Sequence, residues 1–426
     1  MALSGLTLPT LTAADPPVEG EGSLDPLGTG AIAERIAEQL VPSVRARMGR
    51  VRFLTAMAVA SIVTDEVGEL LITDSRATPP LAFEWLLLEG YVRRNLTLPT
   101  GIPGTTKARG IRSSGGRLGA SSYLKAPGVF GFNGVYKPLA TGIQLVTDDL
   151  LPAAGAADLV AAWEKEQGLP GFLNGAPASA GRKVKDRLVT AVRAAVAAGG
   201  CVEPDRSLIW RELPHRLLPE NPGAGEARLI RSWLSEHPIR GELIRLILPF
   251  ELAPEDEVLS HVRGQASPEL RIRIDAALTY ERLASHLEVA FQALLWRSSQ
   301  LGSSPLTPAA AAGLDAVVEA SREIPDRYEA AFDALSLLEL AIPLEEKLGP
   351  LAERMKPAQL ADALIQHHNR IQAGKTPHGK RPWFEPHGAG FVVRVQYGVF
   401  EAPERRPFPH PMRVWSLQRF LEDTAA

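Results

Sequence analysis

The chain has 426 residues, 45% apolar and 22% charged, with 46 Lys and Arg against 49 Asp and Glu, a net charge of −3. That length predicts several domains and that balance a globular protein. With Cys201 as its only cysteine, the chain excludes an internal disulfide and a zinc site built on cysteines. The longest apolar run, Phe53 to Val63, is about half a membrane span, so no membrane partner is expected. Met1 to Pro17 lacks the pattern of a secretion signal, and the expected location is the cytoplasm.

Ala and Leu dominate and aromatics are few, which predicts a mainly α chain with small β elements. Residues 1–28, rich in Pro, Gly and Thr, predict a disordered tail. Residues 29–96 form an N-terminal helical region. Ala33, Ile36, Leu40 and Val44 make a helical stripe, a second helix runs over about Val51 to Leu71, and a third starts after Thr78-Pro79-Pro80 and reaches Val92.

From Gly90 to Thr147 there is no Asp or Glu. This window holds Arg93, Arg94, Lys107, Arg109, Arg112, Arg117, Lys125 and Lys137, a local charge of +8. A basic field of that size attracts polyanions, and nucleic acid is the commonest. Thr97 to Gly116 is turn-rich and reads as a basic loop. Short helices are expected over Leu118 to Leu124 and Phe132 to Thr141. A strand at Ile143 to Val146, a turn at Thr147-Asp148-Asp149, a return at Leu150-Leu151 and a helix from Gly155 follow. That order is the order of a winged helix-turn-helix, placed at residues 97–168. In this reading Asn133 and Lys137 face a groove, and Lys107, Arg109 and Arg112 touch phosphates.

Residues 169–226 read as a linker plus an Ala-rich helix, and 227–353 as a helical domain whose longest helix runs from Glu269 to about Arg297. Residues 301–353 carry ten acids against Arg322, Arg327 and Lys347. The basic α+β C-terminal region, 354–426, has a helix from Pro357 to Ile371, a basic loop, a strand from Phe391 to Tyr397 and a helix from Val414 to Asp423. Asn369, Arg370, Lys375, Lys380 and Arg381, with His378 and Trp383, are candidates for nucleic-acid contact. The C-terminal histidines His367, His368, His378, His387 and His410 raise a metal-dependent nuclease as an alternative, in which the adjacent His367 and His368 would have to converge on one ion. Neighbours on a helix point about 100° apart, which disfavours a shared ion. A solvated basic loop is the plain alternative. No phosphate-binding loop or nucleophile elbow is present in the sequence, so no cofactor and no enzymatic activity are expected.

Several stretches resemble uncharacterised bacterial proteins, with a winged helix, encoded beside restriction and phage-defence genes. They are Val51-Arg52-Phe53-Leu54-Thr55 with Arg47 and Arg50, Gly104-Thr105-Thr106-Lys107-Ala108-Arg109, and Tyr123-Leu124-Lys125 with Val129-Phe130-Gly131-Phe132 and Gly134-Val135-Tyr136-Lys137. Ala162-Trp163-Glu164, His367-His368-Asn369-Arg370 and Pro382-Trp383-Phe384 complete them. The resemblance implies a subunit of a multi-gene, DNA-directed system, and implies no reaction. The expectation is a non-catalytic subunit that binds DNA as a duplex and assembles with other protein subunits. The alternative is an adaptor whose basic window docks on an acidic partner.

Overall fold

The computed structural model describes residues 25–68, 75–96, 98, 101–375, 380–394 and 400–425. Among them the chain is mainly helical, with eighteen α-helices and one two-stranded sheet. In order these are α1 (Gly30–Leu40), α2 (Arg52–Asp65), α3 (Pro79–Arg93), α4 (Thr105–Ser113), α5 (Pro127–Phe130), α6 (Phe132–Gly142), α7 (Ala154–Glu166), α8 (Ala180–Ala198) and α9 (Ile209–Arg216). Next come α10 (Ala224–Glu236), α11 (Pro238–Ile247), α12 (Glu255–Val262), α13 (Pro268–Leu301), α14 (Pro308–Ala311), α15 (Asp315–Ser336), α16 (Ala341–Leu348) and α17 (Pro357–Ala373). The strands β1 (Phe384–His387) and β2 (Gly390–Val393) precede α18 (Val414–Asp423). None of the described helices is long and apolar enough to cross a membrane.

The chain divides into two compact units, one of residues 34–278 with 411–426, the other of residues 1–33 with 279–410. In the first, α2 and α3 are the central helices. Helix α2 buries nearly every side chain, and α3 buries the run from Ala82 to Tyr91. Around them pack α6, α7, α8 and α9. Two ion pairs anchor this core. Arg52, nearly buried, meets Glu226 at 3.3 Å and donates to the carbonyls of Arg216, Leu218 and Glu220. Arg50 meets Asp423 of α18 at 2.6 Å. Buried charges of this kind persist only when their hydrogen-bonding capacity is met.

In the other unit, α17 packs on α14 and α15, and β1 pairs antiparallel with β2 from Phe384 opposite Val393 to His387 opposite Gly390. Residues 25–28, expected in the tail, are instead held in place. Leu27 is fully buried and its carbonyl meets His367 Nε2 at 2.7 Å, while the Pro26 carbonyl meets His368 Nδ1 at 2.9 Å. Residues 1–24 of that expected tail lie outside the described residues.

The linker expected at the start of residues 169–226 is also packed. Phe172 is buried edge-on against Trp163, centroids 5.0 Å apart, and the Glu164 carboxylate accepts from the Gly171 and Leu173 N–H groups. The expected second helix stops at Asp65, before residues 69–71, which are outside the described set, as are residues 395–397 of the expected strand.

Candidate functional site

The acid-free window lies wholly in the first unit, and helix α3 positions most of it. Two buried glutamates on α3 do the organising. Glu84, fully buried, accepts from the Tyr123 hydroxyl and from the Phe132 and Asn133 N–H groups at 3.2 and 3.1 Å. It therefore caps α6 and seats the preceding loop at once. Burial raises its pKa to about 7 despite those three donors, which favour the charged form. A Cβ on Gly131 would lie 2.2 Å from a Glu84 carboxylate oxygen, so this approach needs glycine.

Glu89, one and a half turns on, takes the Leu118 N–H at 3.0 Å and the Arg93 guanidinium. Arg93 also pairs with Asp205 and lies over the Trp210 ring, 4.7 Å from its centroid. Its side chain is only 5% exposed. Arg117 donates to the Glu203 carbonyl at 2.7 Å and pairs with Asp205 at 3.5 Å. Arg93 therefore does not belong to an open surface as expected, whereas Arg117 is exposed and shares Asp205 with it. Acids from beyond the window compensate both.

Asn133 is corrected too. It is buried, with Nδ2 donating to the Pro80 carbonyl at 3.0 Å. The whole helix α6 buries Phe132, Val135, Tyr136, Leu139 and Ala140, so it is a core helix and not a groove-facing one. Lys137 is half-buried and lines a cavity together with Asp148 and Asp149.

The segment 118–124, expected as a helix, is a set of turns. Its backbone groups are taken by the residues after α8, with Cys201 N–H donating to Leu118 O at 2.8 Å and Ala120 N–H to Gly199 O at 2.9 Å. The expected hairpin survives only as a tight turn. Ala153 N–H donates to Leu145 O, Thr147 N–H to Leu151 O, and the single bridge is Val146 with Pro152. Proline has no N–H with which to extend the ladder.

What remains open is α4. The expected basic loop is a nine-residue helix that begins at Gly104, whose φ is 81°. A Cβ there would meet the Tyr123 hydroxyl at 2.2 Å and Leu88 Cδ1 at 2.6 Å, so glycine lets α4 start directly on the α3 surface. Thr105 and Ala108 are its buried residues, and Lys107, Arg109 and Arg112 are exposed. Among the described residues none of these three has a carboxylate within ion-pair distance. At about 100° per residue, Lys107 and Arg109 stand about 160° apart around the helix, on the two edges of its exposed face. Between them lie Thr106, Gly110, Ser113 and Ser114, all small.

Arg94 is exposed just before this region, and Lys125 just after it. A groove of about 640 Å³ runs between α4 and Phe130, lined by Thr106, Lys107, Gly110, Ile111, Ser114 and Leu124 among others. Phe130 is 42% exposed and Val129 59%, unusual for large apolar side chains. The Arg47 guanidinium lies over the Phe130 ring, 4.7 Å from its centroid.

The C-terminal candidates stand in the other unit and are largely engaged. His368 bonds the Pro26 carbonyl through Nδ1 and accepts the Trp383 N–H at Nε2, so both ring nitrogens are used. Arg370 donates to His367 Nδ1 at 2.9 Å, and Lys375 Nζ to the Asp25 carbonyl at 2.5 Å. His367 and His368 thus tie down residues 26 and 27 and offer no open ring nitrogen of their own to a metal ion. Among the described residues, no group of three metal-binding side chains occurs. Asn369, Lys380 and Arg381 are partly exposed, and His378 lies outside the described residues.

No protein-family model matches the chain, and comparison with curated proteins and with solved structures yields no match.

Proposed function

We propose that this protein binds DNA through the phosphate backbone, as a non-catalytic subunit of a larger DNA-directed assembly, with α4 as the contacting element. The observation that carries this reading is the exposed α4 face with Lys107 and Arg109 on its two edges and Arg112 beside Arg109. Cations on both edges suit an element flanked by phosphates, and the small residues between them allow close approach. The Thr106 hydroxyl adds a donor of the kind that holds phosphate oxygens.

The test is fluorescence anisotropy of labelled DNA, as duplex and as single strand, at low salt. The reading expects binding that the combined Lys107→Ala, Arg109→Ala, Arg112→Ala substitution weakens at least ten-fold. Absence of binding to either form rejects it. A second reading, docking on an acidic protein, draws on the exposed Val129 and Phe130, because apolar groups beside charge are typical of protein interfaces. Co-purification that survives nuclease treatment and is lost with the same triple substitution would favour it.

A further inference from the structure

The groove between α4 and Phe130 is a second feature, distinct from the cationic edges. It has the volume of a small-ligand site, about 640 Å³, and its chemistry is divided. Ile111 and Leu124 supply apolar walls, Gly110 leaves its α4 side without a side chain, and Phe130 supplies an aromatic surface. Lys107 supplies positive charge in the same groove. The Arg47 guanidinium lies over the Phe130 ring without lining the groove, whereas Phe130 lines it and is 42% exposed.

We infer that this groove holds one unpaired nucleobase stacked on Phe130, with the adjoining phosphate on Lys107, so that the preferred ligand is single-stranded DNA. An aromatic face beside a cation is the pairing that single-strand binders use, because every base has a π-face and every linkage a charge. In a duplex the bases are stacked on each other and their faces are closed to Phe130. This inference rests on the proposed nucleic-acid reading and adds the strandedness of the ligand.

The test uses the full chain with a fluorescein-labelled oligothymidine and a blunt duplex of equal length. Phe130→Ala is expected to weaken the single strand about ten-fold, the usual loss for one stacked base, and to change duplex binding less than two-fold. Phe130→Tyr should restore single-strand binding. A 2-aminopurine placed within the oligothymidine should be quenched on binding, and the quenching should be lost in Phe130→Ala. Phe130 is largely outside the core, so an unchanged melting temperature is expected and should be checked. Unchanged single-strand affinity in Phe130→Ala, or equal losses on both forms, overturns the inference. If the Lys107, Arg109 and Arg112 triple variant lowers binding while Phe130→Ala does nothing, only the base site fails. If neither variant lowers binding, the nucleic-acid reading fails with it.

Discussion

Arg93 donates to the carboxylate of Asp205, which lies 112 positions later in the chain. The same guanidinium holds Glu89 one turn back on α3. The hydrogen bond and charge of Arg93 keep the Asp205 carboxyl below its ordinary range, with additional lowering from Arg112 and Arg117. One exposed acid from beyond the window is thus shared among three of its cations, Arg93, Arg112 and Arg117.

Arg93→Ala is accordingly expected to act on stability. It leaves Glu89, itself buried, without its cation, a change that costs about 3 kcal/mol for buried pairs. Thermal unfolding should show a lowered melting temperature, while DNA affinity at a temperature where the variant is folded stays within two-fold. A large loss of affinity in a fully stable variant would return Arg93 to the binding surface.

Glu84 gives a pH dependence on the acidic side of neutrality. Its pKa is about 7 in the folded chain against an ordinary value of 4.5, so folding favours its protonated form. The stability it contributes is therefore complete below about pH 4.5 and is lost as pH rises to 7 and beyond. The size is about 3 kcal/mol, from 1.36 kcal/mol per pKa unit. Glu84→Gln should remove this component from a plot of unfolding free energy against pH. An identical pH profile in the variant would show that Glu84 is not the titrating group.

His410 gives a dependence of the same sign at higher pH, in the other unit. Its Nδ1 lies 3.0 Å from Glu281 and its Nε2 3.1 Å from Glu288, and Thr29 donates to that same Glu288 oxygen at 2.9 Å. Burial alone would lower its pKa, but hydrogen bonds to the two carboxylates raise it to about 10. Its protonated form is the folded one, so its stabilisation is present below about pH 6.5 and fades as pH rises through about 10. Burial pushes Glu281 up at the same time, and the charged His410 pulls it back. NMR titration of the His410 ring should find it protonated at pH 8, and a midpoint near that of a free histidine would contradict the arrangement.

Element identity was largely legible from the sequence. The helices at 30–40, 79–93, 132–142, 268–301 and 414–423 follow from apolar spacing and from prolines in first turns. The 118–124 segment was misread because its partner is Gly199 to Cys201, whose pairing no local pattern records. Helix α4 was hidden by its composition. Two threonines and a glycine in nine residues have poor helix propensity, and the helix forms because Ala108 and Thr105 pack beneath it.

The charge window was half legible. Lys107, Arg109 and Arg112, expected on a turn-rich loop, stand exposed on a helix, whereas Arg93, Arg117 and Asn133 are held by distant residues that a window cannot show. Glu84 and Glu89 were read as part of an apolar helix, although a carboxylate inside such a run is itself the signal that something must donate to it. The exposure of Phe130 comes from the four-residue helix α5, whose side chains are all outside the core.

The most direct test of the α4 assignment is the salt dependence of DNA binding in the native chain and in the Lys107, Arg109 and Arg112 triple alanine variant. Each phosphate contact contributes about 0.7 to 0.9 to the slope of log affinity against log salt. Three contacts on α4 should make the variant's slope shallower by about 2 to 3. An unchanged slope, with the variant folded, would contradict the assignment of α4 as the phosphate-contacting element.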